Sequence, residues 1–433
     1  MAGLAAARVL SDRYSSVTVL DRDTLPEDAS PRRGVPQGAH AHILLVAGLR
    51  ELTALFPGLD DELTAVGGIR FDSGLGLCAY RFGRRWPAAP TGMELVSVTR
   101  PRLEAVVRAR VAALPRVEIR DQVAVSGLTG SGGQVTGVVL DNGETLDADL
   151  VVDCTGRGAR SDRWIARLGL PAPAQTEVKV GVSYSTRVYA RKPGDLPGWH
   201  AAFTLPTAPH ERMSGIALPV EDDRWLIAIG GWHLPDPPAD VAAFERSVRS
   251  LPDPIVGSVM ERAEPLTDVV VSKFPSSRRR HFEQLTEVPT GYVAMGDAIC
   301  SFNPIYGQGM TCAAQEASAL GAALDRHGGR AGPQMARDYY AAAARIVETP
   351  WRFAVGGDFS FPGTTGPRPR GIAARNWYGR RIAYASQVDP EINATYARVQ
   401  HLVAPPEVLM RPRFVARVLR QARKRLRQPA PPV

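Results

Sequence analysis

The residues with the most to offer chemically lie between Val293 and Met310. The apolar run Val293-Ala294-Met295 stops at Gly296-Asp297. Pro304 and Gly307-Gln308-Gly309-Met310 follow, and then a stretch of small residues. A strand that ends on an acid, a glycine turn and a helix can together hold a cofactor. Asp297 can accept hydrogen bonds from ribityl hydroxyls. Gly307 and Gly309 let backbone N–H groups approach a flat ring closely. The helix expected over 309–326 points its positive end at the same place, where it stabilises negative charge such as that of a reduced flavin. The plain alternative is a glycine-rich loop beside a buried acid.

A second constellation opens the sequence. Gly3 begins a helix whose face is Ala5, Ala6 and Ala7, and Ser16 to Leu20 reads as a buried strand ending at Asp21-Arg22. This is the second half of a βαβ dinucleotide fold, in which glycines admit the pyrophosphate and an acid takes the ribose hydroxyl. Gly3 would be the last glycine of a GxGxxG fingerprint, so a hydrophobic strand and two further glycines are expected upstream of Met1. An ordinary helix–strand pair is the competing reading. Gln37, His40 and His42 form the densest polar set of the N-terminal third. Gln37 and His40 are candidates for a place at the ring edge, or else they cap a helix or face solvent. Two histidines two residues apart do not share a helix face, so no metal pair is expected. Cys78, Cys154, Cys300 and Cys312 form no CxxC pair, which speaks against zinc and for a reducing, cytoplasmic setting. No hydrolase-type Ser/His/Asp or Cys/His pattern stands out.

These residues need elements to hold them, and 433 residues with 44% apolar and 22% charged side chains supply two or three domains. Disordered, collagenous and coiled-coil chains are excluded, and no apolar run of about 18 residues suggests a transmembrane helix. The net charge of +8 is carried almost wholly by arginine, with only four lysines. Nucleic acid is not expected as a partner, because only the extreme C-terminus offers a localised basic patch. Helices are expected over about 39–56 and 100–114, strands over 122–129, 133–140 and 144–148 with Asn142-Gly143 as a hairpin turn, and core strands over 150–153 and 291–295. From Glu177 to Ile229 the pattern is alternating β. From Arg330 onward it is helical, broken over 356–371.

Residues 3–23, 100–104, 150–160 and 291–320 resemble FAD-dependent monooxygenases of the para-hydroxybenzoate hydroxylase type, and Gly296-Asp297 is similar to that family's GD motif. Arg33-Gly34-Val35-Pro36-Gln37-Gly38-Ala39-His40-Ala41-His42 and Phe302-Asn303-Pro304-Ile305-Tyr306-Gly307-Gln308-Gly309-Met310-Thr311 look most like a bacterial subgroup with polyether epoxidases, related to squalene epoxidase. The resemblance implies an α/β fold: a Rossmann-like FAD domain of glutathione-reductase type (1–70, 95–160, 285–328), a β-sheet substrate domain (71–94, 161–284) and a C-terminal helical region (329–433). It implies that Gly3, Asp21 and Arg22 meet the adenosine end of FAD. Arg33 and Arg100 would lie along the cofactor, with Asp153, Gly156, Gly296, Asp297, Pro304, Gly307, Gln308, Gly309 and Met310 around the rest. Asp153-Cys154-Thr155-Gly156-Arg157 departs from the hydroxylases' DG motif. The electron donor is therefore open: NADPH or NADH, directly or through a flavin reductase.

The implied activity is insertion of one oxygen of O₂ into a small lipophilic natural product, by epoxidation or hydroxylation, through a flavin hydroperoxide. A prenyl-chain reductase is an alternative. A halogenase is another, although its Trp-x-Trp-x-Ile-Pro motif is missing. A non-catalytic FAD- or lipid-binding protein is the alternative from a different class. The segment 177–232 is expected to stand over the flavin with an apolar, water-excluding face of Val182, Tyr184, Phe203, Ile216, Leu218 and Ile227, and with Tyr306 at the flavin edge. No Tyr/His relay for deprotonating a phenol is visible. Trp86, Trp225 and Trp232 read by default as core. Arg411 to Arg427 places Phe414, Val418, Ala422 and Leu426 at helical spacing among cations. It is either a surface helix packed on the body or a helix in weak contact with a membrane surface.

Overall fold

The computed structural model describes residues 1–234 and 236–428. The first helix, Ala2–Ser11, buries Ala5, Ala6 and Ala7. Their small side chains let it lie close to the helix Gly309–Arg326, where a methyl group on Gly321 would overlap Val9. Arg13 and Asp325 lock the two helices at 2.6 Å. The strand Val17–Leu20 pairs in parallel with Val117–Arg120, and Val151–Asp153 pairs in parallel with Tyr292–Ala294. The two pairs are separate sheets, and both have an edge on the central cavity. Val17–Leu20 is consequently half-exposed, not buried as its composition suggests. The three-stranded sheet of Val125–Ser131, Gln134–Leu140 and Thr145–Asp147 turns at Asn142-Gly143 as expected.

The eight-stranded sheet carries the rest of the β structure. Its order is Cys300–Ser301, Val270–Arg280, Gln175–Ala190, Arg224–Trp232, Met213–Val220, Ala201–Thr204, Leu77–Arg81 and Arg84–Arg85. One face packs on the helices Val241–Arg249 and Ile255–Arg262 through Tyr189, Ala217, Trp225, Ile227, Phe244 and Val256. The other face looks into the cavity.

Two helix boundaries differ from expectation. The helix expected from Ala39 begins at Val46. His40 and His42 lie in extended chain after the turn Pro36–Ala39, with His40 bonded to Thr186 of the sheet instead of to a helix of its own. The helix Pro333–Asp358 runs on through Gly356-Gly357. Asn376 of the helix Ile372–Ser386 supports it there, bonding the Gly356 carbonyl and Ser360 Oγ at 2.8 and 2.9 Å. The last helix, Pro412–Leu426, spends Val418 and Ala422 on Ile382, Ala385, Ile392 and Tyr396. Phe414 is half-buried there and Leu426 stays exposed. No helix among the described residues is long and apolar enough to cross a membrane.

Candidate cofactor and substrate site

A single cavity of about 2040 Å³ opens between the parallel pairs, the large sheet and the C-terminal helices. Ordinary ligand pockets reach roughly 1,000 Å³, so there is room for more than one small molecule. Gly3, Asp21, Arg22, Gln37, His40, Arg100, Asp153, Gly156, Asp297, Pro304, Tyr306, Gly307, Gln308, Gly309 and Met310 all line it. Gly296 and Arg33 do not.

The polar arm of the cavity has the donors and acceptors of a dinucleotide site. Asp297 opens onto the cavity with no side-chain hydrogen-bond partner among the described residues. Crowding by neighbouring protein raises its pKa, and Arg157 opposes that rise. Gln308 Oε1 and Thr311 Oγ1 are buried without partners at the start of the helix 309–326. Buried polar atoms left unpaired are rare in a native fold, so Gln308 beside the open Asp297 points to a bound polar group. Thr311 Oγ1 faces Gly48 and not the cavity. Gly307 has φ +67°, and a side chain there would press on the Ile43 carbonyl at 3.3 Å. Gly296 stays out of the cavity but aims Asp297 into it. Its φ is +65°, and its N–H donates to Glu316 Oε2 at 2.6 Å. Glu316 is fully buried, and burial pushes its pKa up to about 8, with Asp297 adding to the rise.

Two residues expected at the cofactor are placed as follows. Asp153 is saturated from within: Thr155 N and Oγ1 donate to Oδ1 at 2.9 and 2.6 Å, and Ser161 Oγ and Tyr292 Oη donate to Oδ2 at 2.6 and 2.8 Å. It shapes the 153–161 turn. Arg33 is exposed, and its neighbour Arg32 turns inward, 3.1 Å from Asp21, 2.8 Å from Asp23 and 2.8 Å from Glu104. Arg100 closes this set on Glu104 at 2.6 Å. Arg33 sits in the turn that Val35 N closes on the Arg32 carbonyl at 3.1 Å, and the motif alone does not tell which of the two arginines faces in. Arg32→Ala should therefore cost about 2–4 kcal/mol by leaving three carboxylates short of a cation. Arg33→Ala should stay within about 0.5 kcal/mol. Thermal melts of the two variants check this, and equal losses would refute the assignment.

The apolar arm is built by cross-strand register. Ala79, Phe203, Ile216, Ala228 and Thr186 are successive partners across the sheet; all but Thr186, which is buried against His40, line the cavity, as Tyr184 and Leu218 do. Ile227 lies on the opposite face in the core against Phe244, and Val182 is packed in the main core. Neither lines the cavity. The strand Arg224–Trp232 is buried on both faces, so its composition does not reveal which parity looks in. Of the tryptophans, Trp225 is core, while Trp86 and Trp232 reach the cavity wall.

A buried network that the sequence does not announce stands between the two arms. Asp358 Oδ1 accepts from Trp232 Nε1 at 2.8 Å, Asn303 Nδ2 at 2.8 Å and Tyr306 Oη at 3.3 Å. Its Oδ2 is buried without a partner, and burial raises its pKa to about 6. Tyr184 Oη donates to Asn303 Oδ1 at 3.0 Å. Tyr306 lies so close to Gly357 that a Cβ there would overlap its hydroxyl, so this glycine is what lets the phenol pass the helix. His40 Nδ1 meets Thr186 Oγ1 at 2.8 Å, its Nε2 is unpartnered, and burial lowers its pKa to about 4. Its ring is neutral at pH 7. Gln37 stays exposed at the cavity wall. No group of His, Cys, Asp and Glu among the described residues could hold a metal, and all four cysteines are free.

Residues 1–354 match the family described as FAD binding domain. Protein Rv3254 of Mycobacterium tuberculosis is 32% identical over 459 aligned residues, spanning 100% of this chain and 95% of that one. PqsL, a probable FAD-dependent monooxygenase from Pseudomonas aeruginosa, shares the fold at a TM-score of 0.60 and 17% identity, over 83% of this chain and 94% of that one. A flavoprotein/dehydrogenase from Cytophaga hutchinsonii superposes at 0.68 with 14% identity, over 98% and 96%.

Proposed function

Because this chain belongs to the FAD binding domain family, we propose that it is an FAD-dependent monooxygenase acting on a small lipophilic molecule. The observation that carries the reading is one cavity with two unlike arms. The polar arm ends in Asp297 and Gln308, and the apolar arm is the row across the large sheet. Bound FAD would supply the redox chemistry that activates O₂. NADPH or NADH would supply the electrons, directly or through a reductase.

The protein's own part follows from the residues. Asp297 accepts from sugar-type hydroxyls. The N-terminus of the helix 309–326 offers positive potential to a ring that gains charge. Phe203, Ile216, Leu218 and Ala228 exclude water. The pair Tyr306–Asp358 can hold a proton at Tyr306 Oη and pass it to a carboxylate whose pKa lies near neutrality. Epoxidation of an alkene needs no such group, whereas hydroxylation of a phenol does. Asp358 therefore restores support for hydroxylation that the sequence alone did not offer.

The direct test supplies oxygen-18 gas to the FAD-loaded protein with an electron donor and a panel of lipophilic alkenes and phenols. One labelled oxygen in a product supports the reading. Label arriving only from water, a halogenated product, or a product with two added hydrogens would overturn it. The sheet parity adds a prediction. Ile216→Glu should fold, keep its flavin and divert most of the consumed donor to hydrogen peroxide. Ile227→Glu, a charge in the core, should cost more than about 4 kcal/mol and fail to accumulate. Soluble yield and peroxide per donor oxidised separate the two, and the reverse pattern would mean the faces are misassigned.

A further inference from the structure

We propose that the apolar arm takes an acid, a molecule with an apolar body and a carboxylate, and that Arg81 holds the carboxylate. The inference rests on reading that arm as the substrate site. Arg81 ends the strand Leu77–Arg81 and lines the cavity half-buried. Its Nε is buried without a partner, and its guanidinium has no carboxylate within ion-pair distance among the described residues. Its one recorded side-chain contact is with the Phe82 ring at 4.9 Å.

Most half-buried arginines elsewhere meet an acid or a carbonyl, although Arg381 has only the Trp377 ring, at 5.2 Å. Arg32 meets three acids, Arg85 meets Asp253 at 2.8 Å, Arg187 meets Glu245 at 3.4 Å and Arg279 meets Glu348 at 2.5 Å. Arg157 and Arg280, which lack an acid, bond backbone carbonyls instead. A half-buried guanidinium with neither is costly to keep unless a ligand completes it. A carboxylate fits its fork with two parallel hydrogen bonds.

The surroundings favour an anion there. The Arg81 charge acts on Tyr306 at the flavin-edge end and on Tyr396 at the other, lowering both phenol pKa values against the rise that burial causes. Arg375 and Arg380, on the helix Ile372–Ser386, line the same cavity without acid partners. Asn376 ties that helix to the end of the long helix, which fixes these cations at the wall. Of the nearby acids, Glu348 is engaged by Arg279, and Asp358 is buried behind Tyr306. A positive rim draws an anion in, and the inner arginine fixes it with its apolar body against Phe203, Ile216 and Trp86.

The test compares matched probes on the FAD-loaded protein by calorimetry at neutral pH: dodecanoate against 1-dodecanol, and 1-naphthoate against 1-naphthylmethanol. At least one acid should bind about ten- to a hundredfold more tightly than its alcohol, the size expected of a charge-assisted bidentate contact. Arg81→Gln should abolish the preference and leave alcohol binding and flavin content unchanged. Arg81→Lys should keep an intermediate preference, and it decides the matter if Arg81→Gln does not purify folded. Equal binding of acid and alcohol, no binding of either acid, or a preference that survives both substitutions would overturn the inference. Flavin content and oxygen-18 incorporation are read separately. No acid preference in the parent protein, with flavin and oxygenation intact, sinks only this inference, and an absent flavin sinks only the monooxygenase reading.

Discussion

Asp297→Ala should strip FAD from the protein while leaving the folded chain intact. The carboxylate accepts no hydrogen bond from the described residues, so its removal breaks none. It sits where burial opposes its charge, so the flavin-free variant should melt no lower than the flavin-free parent. What is lost is a charged acceptor for the cofactor's hydroxyls. Each such bond is worth about 1.5–3 kcal/mol, so retention should fall at least about tenfold. Asp297→Asn, which keeps one acceptor oxygen, should fall in between. The FAD-to-protein ratio after gel filtration decides it, and a ratio equal to the parent's would remove Asp297 from the site.

Glu316→Gln should stabilise the protein in mild alkali. Burial raises the Glu316 pKa from its ordinary 4.5 to about 8, so the folded state keeps a proton that the unfolded chain gives up. Below about pH 4.5 the group is protonated in both states and contributes no difference. As pH rises toward 8, the folded state pays to stay protonated, and stability falls by on the order of 4 kcal/mol across that window. Glutamine keeps the acceptor for the Gly296 N–H and has nothing to ionise. The parent's melting temperature should drop between about pH 5 and pH 9 relative to the variant's, with the two converging in acid. Parallel curves over that range would show that Glu316 does not titrate there.

The polar half of the site could be read from the sequence because its information is local. A strand ending at Asp297, a turn at Gly307 and a helix over Gly309–Arg326 follow from spacing within a few dozen residues, and the helix has those limits. The Asn142-Gly143 turn is of the same kind. Asp358 could not be found this way. It ends a helix in a run with no motif, and it becomes a site residue only because folding brings it to Asn303, 55 positions earlier, and Trp232, 126 positions earlier. Arg32 and Arg33 are equivalent in composition and differ only in the direction their backbone gives them. Ile227 and Ala228 are both apolar and both buried, so only the register with Ile216 tells which one faces the cavity.

The lock between the first helix and the helix Gly309–Arg326, with Arg13 clasping Asp325 across 312 positions, also sets a timetable. A ribosome adding about 5–20 residues per second needs roughly 15–60 s to cover that distance. Through that interval the apolar face of Leu4, Ala5, Ala6, Val9 and Leu10 has no partner from the helix it will finally pack against. Seven of the eight strands of the large sheet and its two covering helices lie within residues 77–280 and can take shape first. The half that holds these two helices, though its first helix precedes the sheet in the chain, is then among the last to become whole.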